Sequence, residues 1–294
     1  MVESPQTPEV QESPKSEFVA KLERLWARGN FVCIGLDSDY SQIPESLKDD
    51  VVLKEVVVSE FNRSIIDATN DLVCAYKPNV AFYEALGNQG WGALYRTIHY
   101  IKQHYPEIPV ILDAKRADIG NTNQGYVKAA FDQLGADAVT VHPYLGKEAL
   151  APFLARNDKG IIVLVRTSNL GAGEFQDLPV GDTKDPLYQV VARNVAKFWN
   201  DNGNCAIVVG ATYPRELGEV RSIVGDMPIL IPGIGVQGGE VEATVTAGKD
   251  SRGWGMIINS SRGIIFASKG EDFAEAARKA TESLREEINR YRQV

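Results

Sequence analysis

Opposite charges crowd the end of one apolar run, in the segment "PVILDAKRADIGNT" at residues 109–122. Asp113 and Lys115 stand two residues apart, so on a strand they would share one face, with Ile111 below them. A fixed ammonium beside carboxylates can stabilise negative charge that develops in a reaction and can then donate a proton to it. The simpler alternative is a structural ion pair at the rim of a sheet, and for a single pair that alternative would be preferred.

A second lysine makes the catalytic hypothesis stronger than the structural one. Lys77 ends another apolar run, "LVCAYKP" (72–78), and opposite charges at several strand ends are costly to bury unless they serve a purpose. Asp118 lies past the strand, on a turn, where it can lean over its own site or into that of a neighbouring subunit. Two lysines that alternate with two aspartates around one cavity would form a pre-organised charge array.

A separate signal, for phosphate, lies in the last third of the chain. The segments "PGIGVQGG" (232–239) and "NSSRG" (259–263) follow two successive apolar runs. Barrels often bind phosphate between the loops after strands seven and eight, through backbone N–H groups and the N-terminus of a short helix. Glycine lets the backbone approach an anion, and Arg262 supplies a forked cation. The glycines alone could mark only tight turns, but together with Arg262 they predict a phosphate site.

Eight short apolar runs, each followed by a helix-like segment, supply the elements that must position these residues. The runs are "FVCIGLD" (31–37), "LVCAYKP" (72–78), "PVILDAK" (109–115), "ADAVTVH" (136–142), "GIIVLVRTS" (160–168), "CAIVVGAT" (205–212), "PILIPGIG" (228–235) and "GMIINSSRG" (255–263). Continuous apolar character suits parallel strands that are covered on both faces. We therefore predict an α/β fold, a (β/α)8 TIM barrel in a single domain over residues 17–294, with its active site at the C-terminal ends of the strands. A doubly wound open sheet is the second choice, because the units are regular and no early GxGxxG is present.

Two of the helix-like segments make specific predictions. In "NTNQGYVKAAFDQLGAD" (121–137), Asn121 or Thr122 can serve as N-cap, and Gly135 suits the left-handed position after the helix. The last segment, 271–292, is predicted to be an amphipathic closing helix. Its apolar face comprises Phe273, Ala277, Leu284 and Ile288.

Composition narrows the classes of partner and location. The formal charge of −8 and the pI near 5.1 argue against nucleic acid or an anionic membrane as the main partner. Residues 1–16, rich in Pro, Glu and Ser, are predicted to be a disordered tail rather than a signal peptide, and no run approaches the ~20 apolar residues of a transmembrane helix. Cys33, Cys74 and Cys205 each lie in an apolar run and are predicted to be buried thiols without a disulfide framework. The protein is predicted to be cytoplasmic.

The decapeptide "DAKRADIGNT" closely resembles the Asp-x-Lys-x-x-Asp signature of the orotidine 5′-phosphate decarboxylase family, in its longer bacterial branch. Weaker segments support the resemblance in the expected order: "GLD" (35–37), "YKPN" (76–79), "PGIGVQGG" (232–239) and "SRG" (261–263). The resemblance covers residues from about 18 to 270. It departs from the branch at Ala117, where glycine is usual, and before Arg262, where Asn-Ser-Ser replaces the common Val-Gly.

The resemblance implies a metal-free and cofactor-free decarboxylation of orotidine 5′-phosphate to uridine 5′-phosphate. It implies a catalytic array of Lys77, Asp113, Lys115 and Asp118, in which Lys115 is the proton donor and Asp118 reaches across a homodimer interface. The implied substrate contacts are Asp37 and Lys77 with the ribose hydroxyls, Thr122 of the partner subunit, Ser168 with the pyrimidine, and Gln237, Arg262 and the backbone at Gly235 with the phosphate.

Three other functions compete with this hypothesis. A Mg²⁺-dependent phosphosugar decarboxylase or aldolase on the same barrel can share Asp-x-Lys-x-x-Asp, but such relatives tend to carry an acidic residue in place of Lys77. A Schiff-base aldolase needs one lysine with a depressed pKa, which two flanking aspartates oppose. A non-catalytic phosphate-ligand binder would be expected to have lost at least one of the four charges.

Overall fold

The structure is a computed structural model that describes residues 15–49, 51–235 and 238–293. Eight parallel strands form the wall of a barrel. The strands are β1 Val32–Gly35, β2 Val73–Lys77, β3 Ile111–Arg116, β4 Ala138–Val141, β5 Gly160–Arg166, β6 Cys205–Val209, β7 Ile229–Pro232 and β8 Met256–Ser260. Their order in the sheet is β2-β1-β8-β7-β6-β5-β4-β3. The strand interiors are almost entirely buried, because helices cover the outer face and side chains fill the inner one.

The two end strands of this sheet, β2 and β3, close the barrel through isolated parallel bridges. Tyr76 pairs with Val110 and Asn79 pairs with Asp113, and the backbone N–H of Asp113 donates to the Pro78 carbonyl at 3.0 Å. Because the two edge strands are bridged to each other, the sheet closes into a barrel. The predicted (β/α)8 barrel is confirmed, and the open-sheet alternative is wrong.

Helices connect the strands and surround the barrel. They are α1 Glu17–Trp26, α2 Lys54–Thr69, α3 Val80–Glu84, α4 Gly87–His104, α5 Gly120–Val127, α6 Gly146–Leu154, α7 Gly173–Gln176, α8 Leu187–Asn194, α9 Pro214–Val224, α10 Gly238–Gly248, α11 Arg262–Ile265 and α12 Phe273–Arg292. Short π-helical turns, Lys128–Gln133 and Val195–Trp199, continue α5 and α8. A two-stranded ribbon, Pro179–Val180 with Asp185–Pro186, lies in the connection between β5 and β6.

Two of the three local helix predictions are confirmed. Gly135 has φ +76°, and the four apolar residues of the closing helix are buried in α12. The N-cap prediction for α5 is wrong, because the helix begins at Gly120, before either predicted cap. The side chain of Asn123 instead bonds the backbone of Asp118, its Oδ1 accepting from the Asp118 N–H at 2.8 Å.

The packed chain begins one residue before the predicted boundary. Ser16 is the N-cap of α1, its hydroxyl accepting from the Val19 N–H at 3.3 Å, and it is buried. Residues 1–14 lie outside the described part, so their disorder stays a prediction. The three cysteines are buried free thiols, as predicted. Within the described ranges, no helix is long and apolar enough to cross a membrane.

Candidate active site

The C-terminal ends of the strands surround a cavity of about 420 Å³. Asp37, Lys77 and Asp113 line it on the side of β1 to β3, while Gly233–Gly235 and Arg262 line it on the side of β7 and β8. The cavity thus lies where barrel enzymes place their chemistry. It joins the two signals that the sequence had presented separately, the charged residues and the glycine-rich loops.

A central carboxylate, that of Asp113, is held between two ammonium groups. Lys77 Nζ lies 3.1 Å from Asp113 Oδ2, and Lys115 Nζ lies 2.7 Å from Asp113 Oδ1. Lys77 Nζ also lies 3.9 Å from Asp37 Oδ1. The Lys77 side chain is 4% exposed and that of Lys115 is 50% exposed, so Lys77 is buried in the cavity wall while Lys115 remains accessible to solvent.

Each charged group in this array keeps its neighbour ionised. Burial alone would raise the pKa of Asp113, but the ammoniums of Lys77 and Lys115 outweigh burial and hold that pKa at about 2. Burial alone would lower the pKa of Lys77, but Asp113 and Asp37 outweigh it, so the pKa of Lys77 is raised. Burial raises the pKa of the adjacent Cys33 thiol to about 12. At neutral pH Asp113 and Lys77 are therefore both charged and the thiol is neutral.

Lys115 reaches Asp113 through an unusual backbone conformation. Its φ is +45°, and the register between β3 and β4 shifts between Leu112 and Arg116. The prediction that Asp113 and Lys115 point together is confirmed by their contact, although the strand is not regular there. Arg116 turns outward and donates to Glu84 Oε1 on α3 at 3.0 Å.

Thr140 on β4 holds this irregular segment in place. Thr140 was not predicted as a site residue. Its hydroxyl accepts from the N–H groups of Ala114 at 3.1 Å and Lys115 at 2.9 Å, and it donates to Asp113 Oδ1 at 2.9 Å. A buried hydroxyl with three partners is fully used. The available signal was a threonine inside the otherwise apolar run "ADAVTVH".

Asp118 and Thr122 are not brought to Lys115 of their own chain. In the described part of the chain, Asp113 is the carboxylate that lies within 4.0 Å of Lys115 Nζ. The Asp118 carboxylate accepts from the Ile119 N–H at 2.7 Å, and Thr122 is exposed in the first turn of α5. Both side chains lie on the rim, beyond the end of β3.

The predicted phosphate end is open and polar. Arg262 is exposed at the start of α11, and Gly233 has φ +100°, which favours glycine. The N–H of Gly235 is directed at Glu240 Oε2, 3.4 Å away. Gln237 lies outside the described residues, so its predicted phosphate contact is not tested.

Ser168 stands apart from the charge array, beside the ends of β6 and β7. A Cβ on Gly210 would fall 2.7 Å from Ser168 Cβ, so the absence of a side chain at Gly210 makes room for Ser168. A Cβ on Gly233 would lie 4.0 Å from the Ser168 hydroxyl. Ser168 is therefore near the mouth, on the wall that carries the glycine-rich loop.

Asn259 and Asn79 line the cavity and were not predicted as site residues. Asn79 is the N-cap of α3, accepting from the Ala81 N–H at 3.1 Å. Asn259 is 5% exposed, and its Oδ1 is buried without a hydrogen-bond partner. Asn259 belongs to the Asn-Ser-Ser sequence that departs from the related branch, and that departure was the available signal.

A buried network fixes the segment that carries Asp37. The hydroxyl of Ser38 donates to Asn62 Oδ1 at 2.5 Å, and Asn62 Nδ2 donates to the Tyr83 hydroxyl at 3.0 Å. Tyr83 in turn donates to the Leu36 carbonyl at 2.9 Å. The residues on both sides of Asp37 are thereby held in place by α2 and α3.

Among the described residues, no group of three or more His, Cys, Asp and Glu side chains is arranged to hold a metal ion.

Comparisons with known proteins all indicate one family. A family model described as the orotidine 5′-phosphate decarboxylase / HUMPS family matches residues 30–280. A protein of Cellvibrio japonicus named orotidine 5′-phosphate decarboxylase is 51% identical over 273 residues, 92% of this chain and 98% of that protein. A protein of the same name from Janthinobacterium is 50% identical over 275 residues, 93% of this chain and 98% of that protein. The solved structure of Leishmania donovani OMP decarboxylase superposes with a TM-score of 0.80 at 38% identity, covering 94% of this chain and 98% of that one.

Proposed function

Since the chain belongs to the orotidine 5′-phosphate decarboxylase / HUMPS family, we propose that it converts orotidine 5′-phosphate to uridine 5′-phosphate and CO2, the last step of UMP synthesis. One observation carries this proposal beyond family membership. Lys115 and Lys77 each contact a different oxygen of Asp113, and Lys77 and Asp113 line a cavity that Arg262 also lines. This arrangement presents fixed positive charge to a carbon centre and leaves a second cationic end for a phosphate.

Loss of CO2 leaves an electron pair on C6 of the pyrimidine, in the plane of the ring. The ring π system cannot delocalise that pair, so stabilisation must come from a fixed charge close to C6. The Lys115 ammonium supplies it and then transfers a proton: the C6–carboxylate bond breaks, its electrons remain on C6, and the new C6–H bond takes a proton from Lys115 Nζ. Solvent then returns a proton to the half-exposed lysine.

The position of Lys77 weighs against a Mg²⁺-dependent reaction. A divalent cation at the floor of the cavity would meet an ammonium that is 4% exposed and already 3.1 Å from the central carboxylate. Like charges at that distance repel strongly in a poorly solvated site. The charge balance therefore favours the metal-free decarboxylase over the phosphosugar enzymes.

The substrate orientation follows from the two ends of the cavity. Arg262, the backbone at Gly235 and Gln237 hold the phosphate. Asp37 and Lys77 hold the ribose hydroxyls, and the pyrimidine lies toward Lys115, with Ser168 as its contact. The phosphate supplies binding energy remote from the reacting carbon, which can keep the site closed while the reaction proceeds.

A second copy of the chain completes the site in this proposal. Large apolar side chains are exposed on the loops that follow β3, β4 and β5, namely Ile119, Tyr144, Leu145, Leu170, Phe175 and Leu178. An apolar rim of this kind is typical of a surface that another protein covers. Asp118 and Thr122 lie on the same rim, so a homodimer would place them over the partner's Lys115.

We also propose that the protein is cytoplasmic, where its diffusible nucleotide substrate would be available.

The decisive experiment mixes purified protein with orotidine 5′-phosphate in EDTA and follows the ultraviolet absorbance of the pyrimidine. We expect turnover in EDTA and a loss of at least about a thousandfold in Lys115→Ala, which lacks both the stabilising charge and the proton. Asp113 keeps Lys77 as a partner in that variant, so a thermal scan should show a folded protein. Nearly intact turnover by folded Lys115→Ala, or turnover that requires Mg²⁺, would show the proposal to be wrong.

A further inference from the structure

Two residues that line the cavity each carry a buried side-chain oxygen without a hydrogen-bond partner in the described part of the chain. Asp37 Oδ1 and Asn259 Oδ1 both lack a hydrogen bond within the described ranges, although Asp37 Oδ1 lies 3.9 Å from Lys77 Nζ. Buried polar atoms are nearly always hydrogen-bonded, so an unpaired acceptor needs an explanation. Asp37 has one in the ribose contact proposed above, whereas Asn259 has no assigned role.

Asn259 lies between the two ends of the proposed substrate. It stands on β8, paired with Cys33 of β1 on one side and with Pro232 of β7 on the other. Strand β1 leads to Asp37, and strand β7 leads to the glycine-rich loop. The Asn259 amide is thus placed where the sugar must lie if the phosphate contacts Arg262 and the base contacts Lys115.

The orientation of the amide is consistent with a ligand in front of it. A Cβ on Gly35 would fall 3.3 Å from Asn259 Oδ1, so the amide leans over β1, on the side of Asp37. Its Nδ2 has a single long contact, 3.4 Å, to the Ser261 hydroxyl. The side chain therefore has little intramolecular bonding, although it is 95% removed from solvent.

We propose that Asn259 is a further substrate-binding residue, whose side-chain oxygen accepts a hydrogen bond from a ribose hydroxyl. This inference rests on the proposed function, because it requires the nucleotide in that cavity. A ribose ring presents two adjacent hydroxyl donors, and two residues of the cavity wall carry acceptors that have no hydrogen bond to any described residue, Asp37 Oδ1 and Asn259 Oδ1. The amide thereby contributes to selecting a ribonucleotide over a nucleotide that lacks one of the hydroxyls.

The test compares wild type with Asn259→Leu, which keeps the branching at Cγ and removes the acceptor, on three substrates in EDTA. These are orotidine 5′-phosphate and its 2′-deoxy and 3′-deoxy analogues. We expect Asn259→Leu to lower kcat/KM about five- to tenfold on the ribonucleotide, as for one lost neutral hydrogen bond. On the analogue that lacks the hydroxyl bound by Asn259, wild type and Asn259→Leu should have nearly equal kcat/KM. Asn259→Ala should repeat this pattern.

Thermal unfolding without ligand separates binding from a structural role. Because Asn259 Oδ1 accepts no hydrogen bond from the residues that the structure describes, the unfolding midpoint of Asn259→Leu should match or exceed that of wild type. Asn204→Ala is the matched control, since Asn204 is also buried but donates to the carbonyls of Leu154 and Arg156 far from the site. Its midpoint should fall, and its effect on kcat/KM should be the same for all three substrates.

Two results would overturn the inference while leaving the decarboxylase function intact. One is an Asn259→Leu penalty of equal size on all three substrates, and the other is a fall in the midpoint comparable to that of Asn204→Ala. If wild type itself fails to turn over orotidine 5′-phosphate in EDTA, the proposed function fails first and the inference fails with it.

Discussion

The hydroxyl of Thr140 on β4 accepts a 2.9 Å hydrogen bond from the backbone N–H of Lys115 on β3. The same hydroxyl donates to Asp113 Oδ1 at 2.9 Å. One buried side chain therefore holds both the backbone of the proposed proton donor and the carboxylate beside its ammonium. A non-glycine residue at φ +45° is costly and persists only where its surroundings impose it. Thr140 provides that constraint.

Replacing Thr140 by Val should impair the chemical step. The change keeps the side-chain volume but leaves two N–H groups unpaired and frees the segment that carries Lys115. We expect kcat to fall about ten- to a hundredfold with a smaller change in KM, because a small displacement of a catalytic group is enough for such a loss. Thr140→Ser retains the hydroxyl and should restore most of the activity. A lowered thermal midpoint with unchanged kcat would show that Thr140 serves stability alone.

Mixing two inactive variants should restore activity if Asp118 acts across a dimer. Lys115→Ala and Asp118→Asn are each expected to be inactive as homodimers. In a mixed dimer one site has both defects and the other has none, so random exchange should restore activity at about a quarter of all sites. The assay is turnover after the two proteins are unfolded and refolded together, with each protein refolded alone as its control. Absence of recovery from a dimeric mixture would place Asp118 in its own chain's site.

Acid should weaken the folded state through Asp113. The folded-state pKa, about 2, lies below the ~3.9 of an ordinary aspartate. The stability contributed by its ionised form is therefore present above pH ~4 and lost as pH falls through about 2, and it amounts to about 2 kcal/mol. Urea unfolding of wild type and Asp113→Asn from pH 7 to pH 3 measures this contribution. The advantage of wild type should be largest at neutral pH and should shrink toward pH 3; a constant difference would contradict the assignment.

The opposite end of the barrel offers a control for the charge array. Asp137, also buried, accepts from Lys21 Nζ at 3.0 Å and Lys102 Nζ at 2.7 Å, and from the Val110 N–H. Like the active-site array, this cluster has one carboxylate between two lysines, but it lies at the N-terminal ends of the strands. Asp137→Asn should lower the free energy of unfolding by about 3 kcal/mol, because it leaves the buried ammonium of Lys21 and the partly buried one of Lys102 without a counter-charge. Its kcat and KM should stay close to those of wild type, as measured in the same absorbance assay.

The barrel itself could be predicted because each of its strands is buried on both faces. Such strands need continuous apolar sequence. Seven of the eight predicted runs contain their strand completely, and β3 ends one residue beyond its run, at Arg116. The meeting of Lys77 with Asp113 followed from their places at the ends of two strands. Thr140 and Asn259 could not be assigned in this way, since their roles depend on which strands are neighbours and on which polar atoms remain unpaired. The left-handed backbone at Lys115 likewise arises from contacts with β4, and a strand pattern does not predict it.

Barrel closure and the charge array occupy the same place. Strands β2 and β3 are joined by two isolated bridges rather than by a continuous ladder, and the Lys77–Asp113 ion pair spans the same gap. Strands β2 and β3 cannot separate here without also pulling Lys77 away from Asp113. This ion pair therefore reinforces the part of the barrel wall that has only isolated backbone bridges, and a motion that opened it would also separate two groups of the proposed catalytic array.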